Sequence, residues 1–317
     1  MVAIGIVAAV LTTLVAVLIP WLPTSASEEM DRIAFVYWFA TVICIGIFAL
    51  VAAVIVYSVF AFRAQPEDDG DGPPIHGHTG LEIAWTAVPA LLVIAIGVVS
   101  AVVLSKNADA GDNPLKVKVY AQQFAWRFEY PDAKGLKSYE LVLPVDRGIE
   151  FEMTAADVIH SFWIPEMGQK QDLLPGVNTA IVITPHRTGR FTLICTELCG
   201  LGHATMRAPV RVLSQADFET WLADRVGATG GTVDGKALFA SAGCGGCHTF
   251  KPAGSSGAVG PAVDGLTDAA SVRQSIVDPG AVVVSGFSDG VMPTTFGDSF
   301  SDEEIDALVA FLTAGAE

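Results

Sequence analysis

The chain has 317 residues, of which 51% are hydrophobic and 16% charged, and its mean hydropathy of +0.49 excludes an ordinary soluble protein. A formal net charge of −16 excludes a nucleic-acid-binding protein, because such proteins carry a basic surface. A chain of this length is expected to form two or three domains.

Three long apolar stretches lie in the first third of the chain, at residues 2–22, 33–62 and 83–104, and none contains a charged side chain. Each is long enough to cross a bilayer as a helix, which takes about 20 apolar residues. The second and third predict a two-helix transmembrane anchor over residues 33–105. The first segment, residues 1–26, is either a signal peptide that is removed or an additional membrane-spanning helix.

The middle of the chain, residues 106–226, changes to an alternating apolar and polar pattern that is typical of half-buried strands. Six such runs, separated by Pro and Gly turns, predict a β-sandwich with antiparallel strands. The predicted strands cover residues 115–120, 139–143, 149–153, 179–183, 190–194 and 208–213. A helix capped by Ser214 and ending near Arg225 is expected next, followed by a flexible linker at 227–232.

The last segment, residues 233–317, returns to a helical pattern and carries 11 acidic and 3 basic side chains. An amphipathic helix over residues 302–312 is predicted behind the capping residue Ser301. The acidic excess is explained equally by solubility and by a basic or locally complementary redox partner.

The twelve residues from position 195 to 206 hold two cysteines, one histidine and one methionine. Thiolates select soft metals, imidazole suits copper, and a weak axial thioether is typical of copper electron-transfer sites. His160 is the best candidate for a second imidazole. His186 is a poor one, because nine residues of strand would place it about 30 Å from the first cysteine. The candidate metal ligands in the twelve-residue motif are Cys195, Cys199, His203 and Met206.

These cysteines have two alternative uses. A structural disulfide between Cys195 and Cys199 is possible in an oxidising compartment, but it leaves His203 and Met206 without a role. A zinc site does not require methionine. Both alternatives are therefore less consistent with the whole motif than copper is.

A second motif, Cys244-Gly-Gly-Cys247-His248, is the attachment signature of a covalent c-type haem. Each cysteine can form a thioether bond to the porphyrin, and the histidine can ligate the iron. A thioredoxin-like redox pair is the alternative, but it requires an α/β pattern that this segment lacks.

Met292 is the predicted sixth iron ligand, because it is the last methionine in the sequence and no histidine follows His248. Ligation by His and Met raises the reduction potential, which suits a protein that donates electrons to an oxidant. Lys236 and Lys251 are the alternative ligands. The methionine precedes a proline in a turn-rich loop before the last helix, and this layout resembles all-α class I cytochrome c.

The motif Cys-x-Glu-x-Cys-x-x-x-His-x-x-Met, with Asp-Val-Ile-His-Ser-Phe-Trp upstream, resembles the copper A site of cytochrome c oxidase subunit II. The likeness extends over residues 28–213 and implies a cupredoxin-like Greek-key sandwich. It also implies two coppers bridged by both cysteines, with His160 and His203 as terminal ligands and Met206 and the carbonyl of Glu197 as weak axial ligands. In that family the Glu197 carboxylate would also reach a magnesium ion shared with subunit I.

Three further positions gain meaning from the same resemblance. Glu82 matches a family glutamate near the mouth of a proton path into subunit I, although a carboxylate at a helix start is also favoured by the helix dipole. Phe124 and Trp126 match an aromatic electron-entry region. Phe124 stands where the family usually has Trp, which puts the usual entry residue in doubt, and Trp126 and Phe128 fit the sandwich core equally well.

The resemblance as a whole implies subunit II of a bacterial aa3/caa-type oxidase with a fused C-terminal cytochrome c. Electrons would pass from a cytochrome bc-type complex or a small cytochrome c to the haem, to copper A, and to subunit I. Oxygen reduction there would be coupled to proton pumping, and subunit III would complete the complex. The expected location is the bacterial plasma membrane, with the C-terminal domains outside. The linker would act by raising the local concentration of the cytochrome.

Two alternatives from other functional classes remain at this point. One is the copper-containing subunit of a nitric oxide reductase. The other is a non-catalytic copper-delivery protein, which would need an exposed and exchangeable site for a single metal ion.

Overall fold

The computed structural model describes residues 1–63, 70, 74–227, 234–294 and 296–314. The chain divides into two compact units. One contains residues 1–24 and 30–108, and the other contains residues 25–29 and 109–317. Apart from residue 227, the predicted linker lies outside the described residues.

The first unit consists of three apolar helices: α1 (Val2–Leu18), α2 (Glu28–Ala61) and α3 (Thr79–Asn107). Of the described residues, α2 and α3 form the helices that are long and apolar enough to cross a membrane, with 34 and 29 residues. The predicted transmembrane hairpin is therefore confirmed. Both helices extend beyond the apolar stretches, because polar residues can continue a helix outside the hydrocarbon layer. At 17 residues, α1 is shorter.

The second unit begins with ten strands that form two five-stranded sheets. The strands are β1 (Leu115–Gln122), β2 (Ala125–Tyr130), β3 (Leu136–Ser138), β4 (Leu141–Pro144), β5 (Ile149–Ala155), β6 (His160–Trp163), β7 (Lys170–Leu173), β8 (Thr179–Ile183), β9 (Gly189–Cys195) and β10 (Arg207–Leu213). The sheet orders are β3-β2-β1-β5-β8 and β4-β10-β9-β6-β7.

The expectation of a purely antiparallel sandwich was wrong at two pairs. Strands β1 and β5 are parallel, as are β4 and β10, whereas the other pairs between these strands are antiparallel. A hydrophobic pattern reports which face of a strand is buried but carries no information on the direction of its neighbour. The cupredoxin-like sandwich itself is confirmed.

Four strands, β2, β3, β6 and β7, were not predicted. They have three to six residues, too few for a clear alternating pattern. Strand β2 carries Trp126 and Phe128, which are fully buried with Phe151 and Phe162 in the core between the sheets. The rings of Trp126 and Phe162 meet edge to face, with centroids 6.1 Å apart.

Residues 25–29 belong to the second unit, where they form a short strap on the sandwich. The backbone N–H of Ala26 donates to the carbonyl of Glu166 (2.8 Å), and the N–H of His186 donates to the carbonyl of Ala26 (3.0 Å). Ser27 Oγ donates to the carbonyl of Met167 (3.0 Å). Ala26 and Ser27 have no exposed surface.

After the sandwich, α4 (Gln215–Gly227) begins at the predicted cap, where Ser214 Oγ accepts the N–H of Asp217. Within the described residues of the C-terminal part, five helices are present: α5 (Gly235–Ser241), α6 (Cys244–Cys247), α7 (Ala269–Val277), α8 (Phe296–Ser299) and α9 (Asp302–Ala314). A hairpin of two-residue strands at 249–250 and 255–256 is the exception to the all-α expectation. The predicted final helix is confirmed, including the cap at Ser301.

Candidate copper and haem sites

The donor atoms of His160, Cys195 and Cys199 lie within 4.8 Å of one another, and all three residues are buried. Strand register creates this cluster, because β6 and β9 pair with Phe162 opposite Cys195. The Sγ atoms of the two cysteines are 3.8 Å apart. All five cysteines, each in the described part of the chain, are free thiols, so the alternative of a disulfide is not realised.

The other predicted copper ligands surround the same two thiols. His203 Nδ1 lies 3.5 Å from Cys199 Sγ, and Met206 Sδ lies 3.7 Å from it. The carbonyl oxygen of Glu197 lies 3.2 Å from Cys195 Sγ. A 3₁₀ turn over His203–Thr205 folds the motif back on itself, and this turn brings the distant end of the motif to the cysteines.

His186 lies elsewhere, as the sequence predicted. Its Nε2 is 3.4 Å from the hydroxyl of Ser25, in the strap on the sandwich. Among the described residues, His160 and His203 are therefore the two histidines whose imidazoles lie at the thiol cluster.

The two cluster thiols shift each other's pKa in opposite directions. A hydrogen bond from the Cys199 thiol is the main cause that lowers the pKa of Cys195 to about 3, against the effect of burial. The same interaction, together with burial, raises the pKa of Cys199. One thiolate is thus favoured at neutral pH even before a cation is bound, and thiolate is the form that binds metal.

Asp157 orients His160, a role that the sequence analysis missed. Its Oδ1 lies 2.9 Å from His160 Nε2, which leaves Nδ1 facing Cys195 Sγ at 3.9 Å. Burial lowers the pKa of His160, but hydrogen bonds with Asp157 and Cys195 outweigh it and raise the pKa. Carboxylates that hold the second nitrogen of a ligating histidine are common in metal sites, so an Asp three residues before the His was an available signal.

Gln123 is a second residue that the sequence analysis missed. Its backbone N–H donates to Asp157 Oδ2 (2.7 Å), and its Nε2 donates to the carbonyl of Cys199 (2.5 Å). The turn between β1 and β2 therefore holds both halves of the cluster. Such a long-range contact leaves no pattern in the sequence.

Phe124 and Trp126 occupy different environments. Trp126 is fully buried, with its ring centroid 6.3 Å from that of His160. Phe124 covers the loop of the copper motif: a Cβ at Gly202 would lie 2.6 Å from its ring carbon Cγ, and one at Gly200 would lie 3.1 Å from its Cζ. Both aromatic residues thus contact the predicted copper site, and their role in electron entry remains a prediction.

Glu82 and Glu197 are exposed. Glu82 lies in the first turn of α3, where its Oε1 accepts the backbone N–H of His78 (3.2 Å). This is the geometry of a helix-start carboxylate. A role of Glu82 in a proton path and a role of Glu197 in magnesium binding remain predictions.

A cavity of about 610 Å³ lies in the C-terminal segment and is lined by Cys244, Cys247, His248 and Met292. His248 Nδ1 is 2.8 Å from the carbonyl oxygen of Pro261, so Nδ1–H donates and Nε2 is left for another partner. A Cβ at Gly260 would lie 2.6 Å from His248 Cε1, and the glycine therefore provides space for the imidazole.

The cysteines of this cavity differ from those of the copper motif. Burial raises the pKa of Cys244 to about 12 and also raises that of Cys247. Redox-active Cys-x-x-Cys pairs have a lowered thiol pKa instead, which speaks against the thioredoxin-like alternative. Of the described residues, neither Lys236 nor Lys251 lines the cavity.

Family models match three segments of the chain. Residues 17–103 match the transmembrane domain of cytochrome c oxidase subunit II, and residues 137–213 match its periplasmic domain. Residues 231–312 match the family described as cytochrome c oxidase, cbb3-type, subunit III.

Cytochrome c oxidase subunit 2 of Synechocystis sp. is 32% identical over 249 residues, which cover 64% of this chain and 75% of that protein. The chain belongs to the cytochrome c oxidase subunit II family. Subunit 2 of Alkalihalophilus pseudofirmus is 28% identical over 86% of this chain and 84% of its own length. The crystal structure of the periplasmic domain of subunit II (CoxB) of Bradyrhizobium japonicum is 30% identical over 37% of this chain and 96% of that one, with a TM-score of 0.35.

As a cytochrome c oxidase subunit II with a cytochrome c domain, the chain is an electron-transfer subunit of a haem–copper oxidase that contains subunit I. It is a membrane protein whose sandwich is the periplasmic domain. The subunit II domain implies copper A, and the cytochrome domain implies haem. The residues present fit both groups, because two thiols and an imidazole converge at one site and the other holds an imidazole beside two cysteines.

Proposed function

We propose that six residues of the copper motif and β6 hold the binuclear copper A centre. Cys195 and Cys199 would hold the coppers through their thiolates, and His160 and His203 would hold them through imidazole nitrogens. Met206 and the carbonyl of Glu197 would supply the weaker donors. The observation that carries this proposal is the convergence of their donor atoms around two buried thiols. Sulfur, imidazole and thioether donors together favour copper over zinc.

In the C-terminal segment, Cys244 and Cys247 form thioether bonds to haem c, and His248 and Met292 ligate its iron. This assignment is supported by the shared cavity of the four side chains and by the hydrogen bond that fixes the tautomer of His248. When bound, copper A and haem supply reversible one-electron redox chemistry.

The residues of the chain position both groups and exclude water from them. Asp157 and the Pro261 carbonyl each hold one ring nitrogen of a histidine, which fixes the nitrogen that faces the group. Cys195, Cys199 and Met206 are at most 8% exposed.

Electrons enter the copper site near Phe124 and Trp126. Of these two residues, Phe124 is the better supported as the point of electron entry, because it lines the haem cavity and also covers the loop of the copper motif. The donor to the haem is a cytochrome bc-type complex or a small cytochrome c. A donor with a basic docking surface would complement the acidic excess of the C-terminal segment.

The remaining roles follow the family resemblance. Glu197 contributes to a magnesium site shared with subunit I, and Glu82 serves a proton path into that subunit. Subunit III completes the complex, and oxygen reduction in subunit I is coupled to proton pumping. The proposed domain boundaries are residues 1–26 for the signal peptide or extra helix, 33–105 for the membrane anchor, 106–226 for the copper domain and 233–317 for the cytochrome domain.

The test is a count of copper and haem in the purified full-length chain, with optical and electron paramagnetic resonance spectra. Two coppers with a mixed-valence signal and one covalently bound haem are expected. A single labile copper would favour a copper-delivery protein instead. With subunit I present, consumption of oxygen rather than nitric oxide separates the oxidase from the reductase alternative.

A further inference from the structure

The haem-attachment helix α6 lies directly against the turn of the copper motif. A Cβ at Gly246 would lie 2.7 Å from Thr205 Cβ and 3.2 Å from its Cγ2. Thr205 stands between His203 and Met206, two of the predicted copper ligands. The two motifs that were recognised separately in the sequence are therefore in van der Waals contact.

Two further contacts surround this one. Gly243, at a φ of +76°, would place a Cβ 2.7 Å from the carbonyl oxygen of Phe124. Tyr139 of the copper domain is 6% exposed and packs in the cytochrome core, with its ring centroid 5.2 Å from that of Phe300. The cytochrome segment thus meets the copper domain at three places.

One charged side chain of the cytochrome domain faces the same surface. Arg127 and Lys137 in the copper domain attract Glu304 on α9, but burial outweighs this attraction and raises the pKa of Glu304. The cytochrome domain is therefore docked on the sandwich mainly by packing. It does not depend only on the high local concentration that a linker provides.

The copper turn cannot move away easily. The N–H and Oγ1 of Thr205 both donate to the carbonyl of Gly202, at 3.0 and 2.9 Å. The N–H of Cys195 donates to the carbonyl of Met206 (3.1 Å), which ties the turn to the end of β9. The turn is held by these hydrogen bonds, so a side chain added at position 246 would push the two domains apart and leave the turn in place. Overpacked contacts relax where the structure is least constrained.

We propose that Gly246 is a positioning residue: its lack of a side chain sets the closest approach of the haem-attachment helix to Thr205 on the copper turn. The proposal rests on the proposed electron transfer between these two sites. It concerns the docking of the domains and not the binding of copper or haem. The role of Gly246 can therefore be wrong while the assignment of the copper and haem sites is right, and the reverse also holds.

The test uses the intact oxidase with Gly246→Ala, Thr205→Gly and the double variant. Thr205→Gly removes the three atoms that would lie nearest to the new methyl group. Gly245→Ala is the matched control, because it adds a methyl group in the same motif but towards Ser255 of the cytochrome domain itself. Copper and haem are counted in each protein, hydrogen exchange of residues 199–206 reports docking, and flash reduction reports the electron-transfer rate between the sites.

Gly246→Ala should retain both cofactors, yet it should raise hydrogen exchange at residues 199–206 and slow the electron transfer. Overpacking of one contact corresponds to a shift of about 5- to 150-fold in a docking equilibrium. The double variant should recover the parental exchange and rate, and Gly245→Ala should leave exchange at 199–206 unchanged. Parental exchange in fully loaded Gly246→Ala, or no recovery in the double variant, would overturn the proposal.

Should Gly246→Ala lose haem, Thr205→Leu provides the same test from the copper side, with the haem motif intact. It should increase exchange of α6 peptides. Protection of α6 equal to that of the parent protein in a loaded Thr205→Leu variant would show that the contact does not control docking.

Discussion

At the copper site the donor atoms of three residues already lie within 4.8 Å, whereas at the haem site His248 and Met292 line a cavity of about 610 Å³. Strand register and a 3₁₀ turn hold the copper donors in place, and the surrounding sandwich has its own aromatic core. The cytochrome core instead surrounds the space that a porphyrin would fill. We therefore expect the sandwich to fold without its metal, and the cytochrome domain to require its haem for folding.

The largest expected effect is on the cytochrome domain. Replacing both attachment cysteines, with Cys244→Ser and Cys247→Ser, should prevent covalent haem binding and leave the cavity unfilled. A domain has only about 5–15 kcal/mol of stability, so its cooperative fold should be lost. Limited proteolysis should digest residues 234–314 while the copper content stays at the parental level. Loss of copper together with haem would contradict the expectation that the sandwich folds independently of the cytochrome domain.

Cys199→Ser should abolish copper binding and leave the sandwich folded. A serine hydroxyl cannot bridge copper as a thiolate does, and the buried substitution should cost about 1 kcal/mol of unfolding free energy. Metal analysis and thermal unfolding of the full chain check both parts. Cys44→Ser, at an exposed position in α2, is the matched control and should keep its copper. Global unfolding of the sandwich in Cys199→Ser would contradict the prediction.

Asp157→Asn should weaken copper binding without preventing it. The amide no longer carries the charge that orients His160, and removal of such partners typically costs about 10- to 100-fold in metal affinity. Competition against a copper chelator measures the change. Glu150→Gln, at an exposed position of β5, should bind copper as the parent protein does. Equal affinities of the two variants would remove Asp157 from the site.

Met292→Leu should have the smallest structural effect. Haem should remain attached through the cysteines, but its reduction potential should fall, because Met ligation raises the potential. A redox titration of the full chain detects the shift, with Lys251→Ala as a control of unchanged potential. If the haem of the Met292→Leu variant had the same reduction potential as that of the parent protein, Met292 would not be the sixth iron ligand.

Much of the molecule was predictable from residue patterns. The apolar stretches predicted α2 and α3, and the alternating segments predicted six strands. The two motifs predicted side chains that the structure brings together, in the thiol cluster and around the cavity. Those signals are local, because neighbouring residues determine whether a segment forms a helix, a strand or a turn that holds metal ligands.

The parts that could not be predicted depend on contacts between distant residues. The direction of β1 relative to β5 depends on chain crossovers. The bonds from Gln123 to Asp157 and Cys199 connect three separate segments. Gly246 is a spacer only because Thr205 lies beside it, and neither residue indicates the other in the sequence.

The strap at residues 25–29 bears on how the chain matures. A signal peptide of residues 1–26 would be cut at the bond after Ala26, yet Ala26 and Ser27 are fully buried and hydrogen-bonded to the sandwich. A peptidase needs an extended, accessible segment, which the finished sandwich does not offer at this point. If residues 1–26 are removed, the cut must come during translocation, before the β-sheets close over the strap.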